Sequence, residues 1–329
     1  AIKWQQADQR ITAARNDILG RPHVCRSVMG CRIIGFPVSG STPPLGLVAL
    51  RGQEQDVAEA IAASLKARGD WDLLLLHQMD LERPPSKALA TALERAGTLS
   101  LREAGSTFVI DTQEGGFEDF MAGLQRRFRK EVERWSRRHE DLGEIKFVNC
   151  PADISLEDAM KVVGEILENS WKTAENNADT LHRLAELAQA GLDEGKLDLV
   201  IKMVDDRPTS YLLSFLHENK LFTFHIAYDL QLNQIGPGQV QLKEAVRRSC
   251  NGDTTMIDLG GGFSYLRKWS SGTRDFHEVR VIHKGIRSRV IASAYLQKKD
   301  ARQAKARETL EQVKQSRKEE AKAKGGDEP

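Results

Sequence analysis

Cysteine is scarce in this sequence and never closely paired. Cys25, Cys31, Cys150 and Cys250 are scattered without a Cys-x-x-Cys spacing, so neither a zinc-ligand pattern nor a dense disulfide framework is available. No metal site is expected, and reduced thiols in a cytoplasmic protein are the expectation. Long apolar runs are missing too. The longest, Leu73 to Leu76, falls far short of the roughly 20 residues that cross a bilayer and suits a buried strand instead. Membrane insertion is therefore not expected. The opening AIKWQQADQR has no apolar signal-peptide core, and the missing initiator Met points to a processed or truncated chain. Neither sign of charge dominates: 48 Lys and Arg face 47 Asp and Glu, a net charge of +1. No global field draws such a chain to DNA or to an anionic membrane.

What is present suits a folded protein with a charged surface. Hydrophobic residues make up 40% and charged residues 29% of 329 positions, enough chain for one large or two ordinary domains. Short strands are predicted near Ile33 to Pro37 and Leu45 to Leu50, a helix over Val57 to Ala67, a strand over Trp71 to Met79, a helix over Lys87 to Ala96 and a strand over Thr107 to Ile110. Phe117 to Leu142 reads as one helix with an apolar stripe of Leu124, Phe128, Val132, Trp135 and Leu142. Its other faces hold Arg126, Arg127, Arg129, Lys130, Arg134, Arg137 and Arg138, either a solvated face balanced by acids or a contact for an anionic partner.

The alternation then repeats. Ile145 to Asn149 is a strand, and Ser155 to Trp171 a helix with Ser155 as N-cap and Asp158 at the capping-box position. A helix over Leu181 to Ala190 follows. Asp198 to Val204, Tyr211 to His217 and Leu221 to Asp229 form an antiparallel meander. Strands over Thr255 to Leu259 and Glu278 to His283 come later. After about Ser293 the chain is nearly all Lys, Arg, Glu, Gln and Ala, at most a frayed solvated helix. The doubled pattern implies an α/β (α+β) protein of two tandem halves, 1–116 and 117–293, each a mixed, largely antiparallel sheet flanked by helices, with a charged helical or disordered tail over 294–329.

The stretch that organises the rest is LFTFHIAYDLQLNQIGPGQVQL, Leu221 to Leu242. A strand runs into Gly236-Pro237-Gly238 and then into a helix with Val240, Leu242 and Val246 at helical spacing. Glycines let backbone come close to a ligand, and the first N–H groups of a helix point at an anion. Pro fits at the helix start, where its missing N–H would have lacked a partner. A plain tight turn has the same signature.

Strand, glycine turn, helix, then a strand ending in a polar loop resembles the GNAT acyltransferase fold, and the halves are read as GNAT-like. The resemblance implies that backbone N–H groups around Gly236, Gly238, Gln239 and Val240 bind the pyrophosphate of acetyl-CoA or another acyl-CoA. The GNAT signature begins with Gln or Arg, where this chain has Asn233. A narrower resemblance rests on Phe128-Arg129-Lys130-Glu131, Glu168-Asn169-Ser170-Trp171-Lys172, Ala227-Tyr228-Asp229, Gly236-Pro237-Gly238 and Asp258-Leu259-Gly260-Gly261 with Tyr265 and Trp269. These residues are similar to the acetyltransferases of bacterial cellulose and exopolysaccharide synthesis (the CelD/BcsL type), related to the Fem peptidoglycan aminoacyltransferases. That family carries an acid after its glycines and a Lys after its Tyr; here Phe263-Ser264 and Leu266 stand there.

Acyl transfer from a thioester needs a held donor, a nucleophile on the acceptor and a proton for the leaving thiolate. Tyr265 is the candidate for that proton, or else a rim aromatic against Trp269. Asp258 is either a base or a cap on the glycine loop. His225 is a catalytic candidate by its place on the strand leading to the turn, with a structural role as the alternative, and Asp229 starts the turn. Trp171 and Lys172 line an acceptor cleft or anchor their helix. The resulting expectation is an acyl-CoA-dependent N- or O-acyltransferase acting on a small-molecule or glycan acceptor, a sugar or amino sugar. The alternatives are a Fem-like aminoacyl transferase using aminoacyl-tRNA, and an inactive GNAT-like scaffold.

Overall fold

The computed structural model describes residues 24–28, 30–35, 46–47, 49–112, 115–170 and 177–324. The expected strand at Ile33 to Pro37 is seen as far as Gly35. The described residues between Leu45 and Leu50 are not strand.

Chain contacts divide the protein into two units. One is Gly105–Asp275; the other joins described residues before Gly105 to those after Asp275. The second unit holds β1 (Val24–Val28), β2 (Cys31–Gly35), α1 (Glu54–Ala67), β3 (Leu73–Met79) and α2 (Pro84–Leu93). It also takes the first part of β4 (Gly97–Asp111), the last part of β10 (Gly272–His283) and helix α8 (Ile286–Lys324). Its strands run in the order β1-β2-β3-β10-β4. β3 is buried on both faces, as its unbroken leucines require. Leu74 and Leu76 pack under α1 and α2 with Trp71, while Leu73 and Leu75 pack under Ala292 and Leu296 of α8. The expected solvated tail is thus corrected in its first turns. Leu296 is buried, Lys299 Nζ meets Glu278 at 2.5 Å, and Asp300 accepts both arms of Arg280. A few apolar residues at helical spacing suffice when a sheet face awaits them.

The unit Gly105–Asp275 holds α3 (Phe117–Gly123), α4 (Arg126–Glu140), β5 (Ile145–Cys150), α5 (Leu156–Glu168), α6 (Asn177–Asp193), β6 (Leu197–Val204), β7 (Arg207–His217) and β8 (Lys220–Tyr228). A 3-10 turn (Leu230–Ile235), α7 (Pro237–Cys250) and β9 (Met256–Asp258) complete it. Strand order is β4-β9-β8-β7-β6-β5, antiparallel throughout the meander and parallel between β8 and β9. In each unit the strands run in mixed directions with helices on their faces, the expected α/β class.

Three local readings differ from expectation. The single helix over Phe117 to Leu142 is two, because Leu124 and Gln125 turn extended, with ψ of 149° and 127°. The strand expected over Thr107 to Ile110 is 15 residues long and opens at Gly97, just past the helix expected over Lys87 to Ala96. Gly191, expected just past the helix over Leu181 to Ala190, lies inside α6, where a Cβ would fall 2.7 Å from the Phe215 ring. The N-cap reading holds: Ser155 Oγ accepts the Asp158 N–H at 3.1 Å.

Candidate functional site

β8 and β9 run together for only three residues. Lys220, Leu221 and Phe222 pair with Met256, Ile257 and Asp258, and there β9 ends while β8 continues to Tyr228. The cause lies on the other edge of β8. Against β7 the register jumps from Ser214↔Thr223 to Leu213↔His225, so Phe224 is an extra residue. A bulge of this kind bends the strand that carries it and increases its twist, and it sits where β8 leaves β9. The result is a wedge between the end of β8 and the loop after Asp258.

The loop is fixed from below. Asp258 is buried; its Oδ1 accepts from Thr107 Oγ1 at 2.7 Å and from the Gly260 N–H at 3.0 Å, and its Oδ2 takes Arg274 at 2.6 Å. Of its two expected roles, capping is the one the geometry displays, since both oxygens are engaged. Gly260, at φ +70°, lets the loop pass against the carbonyl of Thr223, where a Cβ would collide.

At the far end of β8, Asp229 caps the 3-10 turn through the Gln231 N–H at 2.9 Å and is ion-paired with Arg207. Gly236 then takes the left-handed conformation, φ +63° and ψ +50°, and a Cβ there would lie 2.7 Å from the Trp135 ring. Both the backbone and the indole of α4 demand glycine. The left-handed region costs an L-residue about 1–2 kcal/mol, and the Trp135 contact adds to it. Gly236→Ala is expected to lower stability by about 1–3 kcal/mol, read by denaturant unfolding.

The N–H groups of the turn are only in part turned outward. Those of Gln239 and Val240 bond back to the Gly236 carbonyl, at 2.9 and 3.2 Å. Gly238 faces Tyr228 and Ile226, with 3.5 Å from its Cβ position to the Tyr228 ring. Val240 is core, and the Gln239 side chain accepts from Trp269 Nε1 at 2.7 Å. Trp269 in turn stacks on Phe120 and meets Phe128 edge-on.

Tyr265 stands at the mouth of the wedge, 43% exposed, its ring stacked 6.0 Å from Phe263 rather than on Trp269. Burial, with the neighbouring Tyr228 phenol as a second cause, pushes its pKa up. Tyr228 bonds Asn233 Oδ1 at 3.1 Å. Gly238 thus packs on the Tyr228 ring, and the Tyr228 phenol is near enough to Tyr265 to raise its pKa. His225 does not join them: its Nδ1 meets the Tyr211 hydroxyl at 2.7 Å, and Tyr211 belongs to the core under α5 and α6. Tyr211 is held protonated by burial. Trp171 and Lys172 lie outside the described residues. Nearby, Glu165, Ile166, Asn169, Arg207, Pro208 and Asp229 line a polar cavity of about 130 Å³.

Sequence reasoning missed two buried groups. Lys202 on β6 has no exposed surface, and its Nζ lies 2.9 Å from Nδ1 of the equally buried His139 on α4. Burial pushes the Lys202 ammonium down to about 7. His139 falls to about 4, by burial first and the Lys202 charge second, against a hydrogen bond to the Ile235 carbonyl. The available signal was a lysine within Leu199-Val200-Ile201-Lys202-Met203-Val204, an otherwise apolar run.

Residues 126–266 match the family model of the acetyltransferase (GNAT) domain. That match supports an acyltransferase, and it covers the bulged strand, the Gly236 turn and Tyr265. Among solved structures, the chain is similar to FemX at TM-score 0.50 and 11% identity, over 77% of this chain and 80% of that one. It is also similar to a conserved protein of unknown function from Bacteroides thetaiotaomicron, at TM-score 0.50 and 11% identity, over 68% and 75% of the two chains. At such identities the likeness is one of fold. No curated protein matches the sequence. Among the described residues, no helix is long and apolar enough to cross a membrane, and no cluster of His, Cys, Asp or Glu forms a metal site.

Proposed function

We propose that the domain transfers an acyl group from an acyl-CoA, acetyl-CoA being the simplest, to an amine or hydroxyl of a sugar or amino sugar, as in exopolysaccharide modification. The observation that carries this is the wedge. β8 and β9 part at Phe222 and Asp258, Gly238 packs on the ring of Tyr228 at the end of β8, and the Tyr228 phenol helps raise the pKa of Tyr265. The donor diphosphate sits at the start of α7, where the Gly238 N–H and the helix dipole favour an anion. The acyl arm lies in the wedge beside the extended backbone of β8. The acceptor lone pair attacks the thioester carbonyl, the tetrahedral intermediate collapses, and the C–S bond breaks. Tyr265 gives its proton to the departing thiolate, and the proton of the acceptor leaves to water. A polar cavity beside Asp229 and Arg207 suits a hydroxylated acceptor.

Gly238→Val is the direct test. A Cβ at Gly238 meets only ordinary contacts at 3.5 Å or more, so the fold persists while the branched side chain covers the helix start. Calorimetric titration with acetyl-CoA is expected to show affinity weakened by about tenfold or more, about 1.4 kcal/mol. Unchanged affinity would make the turn purely structural.

A second reading, aminoacyl transfer from aminoacyl-tRNA, is favoured by one observation. Arg126, Arg127, Lys130, Arg134, Arg137 and Arg138 all stand exposed on α4. Phosphate contacts of this kind give binding that weakens steeply with salt. Salt-dependent tRNA binding, lost when Arg134, Arg137 and Arg138 become Gln, would favour this donor over CoA.

A further inference from the structure

Lys202 is buried, and among the described residues no acid is bonded to it; the buried Glu244 of α7 pairs with Arg247 instead. The cross-strand neighbours of Lys202 are Phe147 and Ser210, and among the described residues its ammonium bonds only His139. From α4, His139 and Ser136 face this region. From α7 come Gln241, which accepts from Ser210 Oγ, and Lys243, whose ammonium donates to Ser136 Oγ at 3.0 Å. His139 and Lys243 are the titratable groups of that set, and neither is negative. A cation so placed lowers stability unless something anionic comes near it.

The geometry supplies the place. Lys202 Nζ lies 2.9 Å from Nδ1 and 3.5 Å from Nε2 of His139, which also bonds the Ile235 carbonyl; with Nδ1 taken as the acceptor from Lys202, the assigned tautomer donates to Ile235 from Nε2. Ile235 is the residue before Gly236, so the relay ends at the turn that starts α7. Lys202 and the start of α7 are thus linked through His139 and Ile235. We propose that Lys202 is the buried counter-cation of the donor's diphosphate, and that diphosphate binding at the Gly236 turn is linked to proton uptake by Lys202. This rests on the reading of the turn as the donor site. Burial pushes the Lys202 pKa down to about 7 in the free protein, and a diphosphate bound at the turn favours the charged form. His139, kept neutral, transmits the polarity and holds the turn in place.

The test uses the full chain and dephospho-CoA, which keeps the diphosphate but lacks the 3′-phosphate that itself titrates near neutral pH. Calorimetry between pH 6 and 8.5, in two buffers of different ionisation enthalpy, reads affinity and proton uptake together. A rise of one unit in the Lys202 pKa on binding corresponds to affinity falling by roughly five- to tenfold across that range, with uptake of about half a proton near pH 7.5. Lys202→Met is expected to fold, to bind with the weaker affinity at every pH, and to take up no proton. The wild-type measurement needs no variant, so the proposal is testable even if the substitution disturbs the strand. Wild-type binding that is weakened by Gly238→Val yet shows no proton uptake would overturn the role of Lys202 and leave the donor site standing. So would uptake that persists in Lys202→Met. No binding of dephospho-CoA at any pH would remove the donor-site reading and this proposal with it.

Discussion

Tyr265→Phe is expected to lower turnover by ~10²–10⁴-fold, the usual worth of a positioned general acid, with acetyl-CoA affinity and thermal stability close to wild type. The split between these readouts follows from where the residue sits. Its ring keeps the stack on Phe263 when the hydroxyl is removed, and at 43% exposure the hydroxyl supports little of the fold. Its pKa is pushed up by burial and by Tyr228, so the phenol stays protonated at working pH and has a proton to give to a thiolate. Steady-state kinetics beside calorimetric binding checks the expectation. Unchanged turnover would make Tyr265 a rim aromatic. A joint loss of stability and activity would mean that the hydroxyl serves a buried partner.

Asp258 is expected to show the opposite split. Its carboxylate is buried, caps the loop at Gly260, holds Thr107 and pairs with Arg274, itself largely buried. Removing one partner of a buried, hydrogen-bonded ion pair costs about 3–5 kcal/mol, and Arg274 keeps other contacts, the Phe222 ring among them, which places the loss toward the lower end. Asp258→Ala is therefore expected to lower stability by that amount in denaturant unfolding and to lose activity only as the loop loosens. Asp258→Asn keeps an oxygen for Thr107 and Gly260 but turns an amide toward Arg274, so its loss should be intermediate. If Asp258→Asn abolished turnover at unchanged stability, the carboxylate would be acting as a base.

The same comparison shows how far residues alone reach. The meander was readable because Leu221 to Tyr228 alternates and Glu218-Asn219 supplies a turn, both residues at positive φ. The glycine turn was readable as a turn because Gly236-Pro237-Gly238 stands between a strand and a helix and Pro suits a helix start. The break in the basic helix at Leu124 and Gln125 was not readable, since neither residue resists helix by itself. Nor was the bulge at Phe224, because one extra residue in a strand leaves the alternation locally plausible while moving His225 against Tyr211.

By itself the sequence determined most element types, the mixed α/β class with helices on sheet faces, and the glycine turn at the start of a helix. Those properties follow from hydrophobic period, glycine, proline and capping residues, all local in the chain. Tertiary structure alone decided which candidates meet. It packed Gly238 on Tyr228 with Tyr265 near that phenol, engaged both oxygens of Asp258, and linked Lys202 to Ile235 through His139, across 63 residues of chain. Such meetings depend on strand register and on which helix covers which face. A one-residue shift at a bulge redirects a side chain without leaving a mark on composition or period.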